Sequence, residues 1–282
     1  MTANGVFTLD IEKNLGLSGT GLYGYDTVAL SLPGNGTPSL DAQVVAGITT
    51  DQFFMGLFGL NPSPSLFSSA VSVPSYMAAL KDSGYIPSLS YGYTAGNQYR
   101  FDKVSGSLTL GGYDSSLFVP NDLTIAFTQS SSDLTINVNA ITIISNGKTT
   151  PATSTSQNFP AFIDSTVPYL YLPINVCQAF EDAFGITYDN NTELYLVNET
   201  LHSTLVAQNA SVVFTLTNIT AVTMVEITLP YGAFDLNATY PLINSHNVSR
   251  YFPLKRAKDN TQTTLGRAFL QEALVEPLIH PR

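Results

Sequence analysis

The residue with the clearest chemical potential is Asp164. It ends an apolar run in AFIDSTVPYLYLP, residues 161–173, and two hydroxyl residues, Ser165 and Thr166, follow it. A carboxylate in such a segment is costly to bury unless it is neutral, paired or hydrogen-bonded. Asp164 therefore either accepts backbone N–H groups in a turn or acts as a general acid or base with a partner. Other reactive residue types are isolated. Cys177 is the only cysteine, so it forms no intramolecular disulfide and has no Cys/His metal spacing around it; in PINVCQAFEDAFG it reads as a core thiol on an amphipathic helix. His202, His246 and His280 stand apart, and neither HExxH nor GxSxG occurs. No metal site and no cofactor are expected. GTGLYG at 19–24 matches a dinucleotide fingerprint literally, but YDTVALSL after it has strand rather than helix character. Its glycines read as serving a β-turn or bend.

The elements that position Asp164 are mostly strands. The 282 residues are 44% hydrophobic and 11% charged, enough to bury a core, and 20 Gly with 16 Pro favour many turns over long helices. The net charge of −10 without a basic stripe argues against nucleic acid as a partner. No apolar run is long enough to span a bilayer, and no basic leader precedes an apolar stretch. YGYDTVALSL and LDAQVVAGI, separated by PGNGTP, read as a hairpin. PSYMAALKDSGYI reads as a helix, with Ser75 as N-cap and Gly84 just past its end. DLTINVNAITII, ELYLV, SVVFTLTNI and MVEITLPYGAF are strand-like, a helix is expected around 175–184, and a last short one in LGRAFLQEA. Leu57-Phe58-Gly59 and Thr264-Leu265-Gly266 form a loose internal repeat. The expected fold class is all-β, mainly antiparallel, with a few short helices.

Five segments in order resemble the pepsin-like aspartic peptidases: GTGLYGYDTVAL, FMGLFGLNP, FDKVSGSLTLGGYDSSLF, AFIDSTVPYLYLP and TTLGRAFLQEA. The resemblance covers most of the chain. It implies a bilobal acid protease fold in which each lobe supplies one Asp from an Asp-Thr/Ser-Gly loop. The two carboxyls share a proton; the ionised one activates water and the protonated one polarises the scissile carbonyl. Each loop threads past an apolar-apolar-Gly segment. Carried over, Asp164 is the second-lobe acid and Ser165 the hydroxyl that braces the loops. The resemblance places residues 1–113 in the first lobe and 114–282 in the second, with a polypeptide as substrate or ligand.

The pattern also departs from the family. Thr166 stands where the family has Gly, Val167 where a hydroxyl bonds the carboxylate, and Pro168 lacks an N–H. The 18 residues before Gly19 contain no Asp-Thr-Gly or Asp-Ser-Gly, and the flap Tyr position falls on or near Asn14. Asp26 belongs by spacing to the strand after the flap and is rejected as partner acid. Arg267 follows Leu265-Gly266 where an Asp is frequent, and LVEPLIHPR replaces the expected closing strands. The first lobe is thus expected to be incomplete and the chain inactive as it stands, although its class is aspartic-type endopeptidase. Pairing of two Asp164 residues across a dimer is disfavoured, because the partial first lobe would occupy the space. Two alternatives are a pseudopeptidase that binds polypeptide and a glycosylated structural β domain. Asn-x-Ser/Thr sequons at Asn35, Asn190, Asn198, Asn209, Asn218, Asn237 and Asn247 point to an extracellular or cell-surface location.

Overall fold

The computed structural model describes the chain apart from residues 1, 11, 33–34, 51, 54, 69–70, 101–102, 127–133, 155–157, 219–222, 244–247 and 280–282. The fold is mainly β-sheet with a few short helices. The chain divides into two compact units that interleave in sequence: residues 1–93, 108–114 and 275–282 form one, and 94–107 with 115–274 the other.

In the first unit β1 (Thr2–Leu9), β2 (Gly19–Ala29) and β3 (Ser39–Ile48) form an antiparallel meander. The expected hairpin is β2–β3, paired from Gly21 opposite Ile48 to Ala29 opposite Ser39, with a register shift between Asp26 and Val28. GTGLYG lies inside β2, a strand rather than a turn or bend. A Cβ on Gly21 would come within 2.0 Å of the Gly47 carbonyl oxygen, so close strand approach explains that glycine. After the short hairpin of β4 (Ser65–Ser68) and β5 (Val71–Val73) comes α1 (Tyr76–Asp82). The Ser75 hydroxyl accepts the Ala78 N–H at 3.1 Å, and Gly84 takes the positive φ that ends the helix. Met77 and Leu80, one turn apart, meet Leu40 and Ile86 in this unit's core. β6 (Leu89–Thr94) pairs on one side with β7 (Ser107–Leu110) and on the other with Leu278–Ile279, so residues 278–279 pack in this unit.

The second unit is built on a sheet that includes β8 (Thr135–Ser145), β9 (Lys148–Pro151), β10 (Phe159–Ile163) and β11 (Leu170–Pro173). β8 buries Ile136 and Val138, then Ile141 and Ile143. The change of parity coincides with a bulge at Asn139, between the Thr215–Ala140 and Leu216–Val138 pairs. α2 (Ile174–Phe184) follows and buries Val176, Cys177, Phe180 and Phe184. β12 (Thr187–Asp189) and β13 (Leu194–Val197) lead to α3 (Glu199–Gln208), a helix that the strand-dominated sequence reading did not contain. Its start was legible: Asn198 caps it by accepting the Leu201 N–H at 2.9 Å. β14 (Ser211–Thr217), β15 (Met224–Pro230), β16 (Leu236–Ala238), β17 (Ser249–Phe252), β18 (Leu254–Ala257), β19 (Thr264–Leu265) and α4 (Arg267–Leu270) complete the unit. The main order is β15-β14-β8-β10-β19-β11-β18, and β12-β13-β17-β16 form a second sheet. Phe180, Phe184, Phe234 and Phe252 are packed ring to ring in the core.

Residues 94–107 are held in this unit by Glu272. Its Oε1 accepts from Asn97 at 2.9 Å and from the Tyr99 hydroxyl, and its Oε2 faces Arg100 Nη2 at 2.6 Å. The Ala95 N–H also donates to the Leu270 carbonyl at 2.8 Å.

Candidate active site

Asp164 follows β10 directly. β10 and β11 do not pair with each other: β19 lies between them, parallel to β10 and antiparallel to β11. The 164–169 bend therefore wraps around Thr264-Leu265-Gly266. The Asp164 N–H donates to the Leu265 carbonyl at 3.2 Å, and the Gly266 N–H returns to the Tyr169 carbonyl at 3.0 Å. A Cβ on Gly266 would lie 2.2 Å from the Tyr169 oxygen and 2.5 Å from that of Val167, so only glycine lets the bend close.

Asp164 is buried, with 5% of its surface exposed. Its Oδ1 accepts two bonds from Thr166, from the amide at 2.8 Å and from the hydroxyl at 2.5 Å. Its Oδ2 is buried without a hydrogen-bond partner among the described residues. Burial raises the carboxyl above its ordinary range, opposed by the Thr166 hydrogen bonds and by the charge of Arg267. Among the described residues no carboxylate is one of the groups that move it. Tyr171, pushed up to about 12 mainly by burial, also feels the Asp164 charge.

Two expectations about this bend meet a different arrangement. Thr166 stands where the family has Gly, whose backbone freedom a β-branched residue lacks, but it is not among the residues with positive φ. Its hydroxyl instead supplies the bond that Val167 cannot make, while Val167 is fully buried. Ser165 is exposed, and its carbonyl accepts from Arg267 Nη1 at 2.7 Å. The same nitrogen donates to the Thr166 carbonyl at 2.9 Å. This use of Arg267 was missed by sequence reasoning; the available signal was a cation directly after the threaded glycine.

Asp26 lies in β2, exposed, and its carboxylate accepts the Thr27 N–H at 2.8 Å. Asp82-Ser83-Gly84, which spells an acid-loop tripeptide, is the exposed C-terminal end of α1 and makes no such bend. Asn14 falls in a short 3-10 turn, Lys13–Leu15. Cys177 is buried, which pushes its thiol up to about 12. His202 contacts Asp235 at 2.9 Å, whereas His246 and His280 lie outside the described residues. Asn35, Asn190, Asn198, Asn209 and Asn237 are exposed and Asn218 is half-buried; Asn247 lies outside the described residues. Among the described residues no cluster of three or more His, Cys, Asp or Glu is arranged to hold a metal ion, and no helix is long and apolar enough to cross a membrane.

A strand threaded through an acid-bearing bend, in a mainly β fold, has the pattern of the pepsin-like aspartic proteases. Residues 4–276 match the family model described as Asp, eukaryotic aspartyl protease, and the chain belongs to that family. Among solved structures, the crystal structure of aspartic proteinase from Irpex lacteus superposes with a TM-score of 0.59 at 17% identity, covering 98% of this chain and 76% of that one. A search of curated proteins finds no match.

Proposed function

We propose that this chain is of the aspartic-type endopeptidase class, with Asp164 as the second-lobe acid and Ser165 as the hydroxyl that braces the two loops, and that it does not hydrolyse peptides as it stands. Residues 1–113 are assigned to the first lobe and 114–282 to the second, although 94–107 pack in the second unit and 275–282 in the first. One observation carries the reading: a buried carboxyl held on one oxygen by Thr166, with the other oxygen unpartnered and no carboxylate tuning it among the described residues. In a working pair the two acids divide the labour, one ionised to take a proton from water and one protonated to polarise the carbonyl. A lone carboxyl cannot do both at once. The sequons, five of them exposed at Asn35, Asn190, Asn198, Asn209 and Asn237, support a secretory route with N-glycans on these and on Asn218 and Asn247.

The test is hydrolysis of an unfolded protein substrate at acid pH by the purified chain and by Asp164→Ala. No cleavage above background is expected from either. Robust cleavage that disappears in Asp164→Ala would overturn the inactivity and leave the acid in place; cleavage that survives it would remove Asp164 from the reaction.

A second reading, a polypeptide-binding pseudopeptidase, is favoured by the remodelled bend in which Val167 and Arg267 replace polar and acidic family residues. It expects equal binding of an unfolded polypeptide by the wild-type chain and by Asp164→Ala, measured by calorimetry. Loss of binding in the variant would sink it.

A further inference from the structure

The carbonyls of five consecutive residues in the bend, 165–169, all accept hydrogen bonds from only three residues. Arg267 Nη1 serves Ser165 and Thr166 at 2.7 and 2.9 Å. The Arg267 backbone N–H serves Val167 at 2.9 Å, the Ala268 N–H serves Pro168 at 3.2 Å, and the Gly266 N–H serves Tyr169 at 3.0 Å. One arginine thus holds three carbonyls in a row, and its side chain extends past the end of the strand pairing to reach the two next to Asp164.

We propose that Arg267 is a positioning residue for Asp164: its guanidinium locks the 165–166 backbone and places a permanent positive charge beside the acid. The inference rests on the reading of Asp164 as the acid of this unit. Val167 has no hydroxyl and Pro168 no N–H, so the bend cannot be fixed by its own side chains beyond Thr166; the arginine fixes it from outside. Planarity lets one guanidinium nitrogen bridge adjacent carbonyls while the group stays charged at every pH of interest. The charge opposes the effect of burial on Asp164. Among the described residues, the other titratable groups shown to interact with this pair are tyrosines: Tyr171 of β11 with Asp164, and Tyr169 and, in β17, Tyr251 with Arg267. All three are raised by burial and stay neutral at acid pH, leaving Arg267 as the charged neighbour that acts on the acid within this unit.

The experiment is a carboxyl-carbon NMR titration of Asp164 in the full chain, with amide exchange at Thr166 measured on the same samples. Arg267→Gln is expected to move the Asp164 midpoint to higher pH and to speed Thr166 exchange by about tenfold, the scale of one charge-assisted hydrogen bond lost. Arg267→Lys keeps the charge but loses the fork, so its midpoint stays near that of the wild type while Thr166 exchange still accelerates. A purely structural arginine would speed exchange in both variants and move neither midpoint, and that result overturns the proposal. If Arg267→Gln does not fold, the wild-type chain decides: the Arg267 guanidinium protons are expected to exchange slowly, and solvent-rapid exchange overturns the clamp. These readouts need no turnover. Failure of the clamp therefore leaves the cleavage test of Asp164 untouched, and failure of the cleavage reading leaves the titration interpretable.

Discussion

Leu57-Phe58-Gly59 and Thr264-Leu265-Gly266 share a loose three-residue pattern, yet their surroundings are opposite. In the second unit Leu265 is fully buried, its strand is paired on both sides, and Gly266 faces two carbonyls at van der Waals overlap with any added Cβ. In the first unit Leu57 and Phe58 are 42% and 46% exposed, residues 55–62 join no strand, and a Cβ on Gly59 would meet nothing within 4 Å. Phe58 finds an edge-on contact with Tyr76, and Leu60 packs on the α1 core, which anchors the segment without enclosing it. The tripeptide is thus only a receptor. It becomes part of a site when an acid-bearing bend wraps around it, and among the described residues that happens at Gly266.

The strongest way to break this contrast is Gly266→Ala. The new methyl collides with backbone rather than with a flexible side chain. Relief requires moving the carbonyls of Val167 and Tyr169, which accept from Arg267 and Gly266 themselves. A loss of about 3 kcal/mol or more is expected, at the upper end for overpacking, seen as a fall in Tm of roughly 6–12 °C. A variant as stable as the parent would mean that the bend does not close on the glycine. The neighbouring truncations sharpen the same point: Leu265→Ala is expected to cost about 2–5 kcal/mol, the range for a buried leucine. Phe58→Ala, half in solvent, is expected to cost about 1 kcal/mol or less. Equal costs by urea unfolding would erase the difference between the two segments.

Much of this was legible in the sequence for identifiable reasons. The β2–β3 hairpin and α1 announce themselves through local signals, alternation in one case and a serine cap with a glycine stop in the other. The wrapping of Asp164 around Leu265 links residues about a hundred positions apart, and it was readable only through resemblance of AFIDSTVPYLYLP and TTLGRAFLQEA to a family. What escaped was chemistry decided by rotamers. The family resemblance assigns the carboxylate-bonding hydroxyl to the position of Val167, where it is lacking; the fold places the Thr166 hydroxyl in that role. Arg267 reads as a charge in the wrong place until its guanidinium is seen on two carbonyls. Asn198 serves as both sequon and helix cap, and only the cap forecasts α3.

A smaller effect separates the enclosed segment by its pH dependence. Because burial raises the Asp164 carboxyl, the folded chain binds that proton more tightly than the unfolded chain does. Stability therefore falls as pH rises from the ordinary carboxylate range through the raised one, and the penalty is fully present above it. Asp164→Asn removes the charge but keeps an oxygen for the two Thr166 donors. It is expected to gain about 1 kcal/mol at neutral pH, on the scale of relieving an unsatisfied buried group, and nothing near pH 3, where the parent is protonated. A pH-independent gain, or a loss at neutral pH, would mean that an additional donor or cation satisfies the buried Oδ2.

The smallest expected effect is the most discriminating for the open segment. Gly59 has no positive φ and no neighbour within reach of a Cβ, so alanine fits the native backbone while reducing the freedom of the unfolded chain. Such replacements leave stability unchanged or raise it by up to about 1 kcal/mol. Measured by urea unfolding beside Gly266→Ala, Gly59→Ala should therefore carry the opposite sign from the same substitution in the same tripeptide pattern. A loss above about 1 kcal/mol at Gly59 would show that this glycine too is closely covered by backbone, and the contrast between an enclosed and an open receptor would no longer hold.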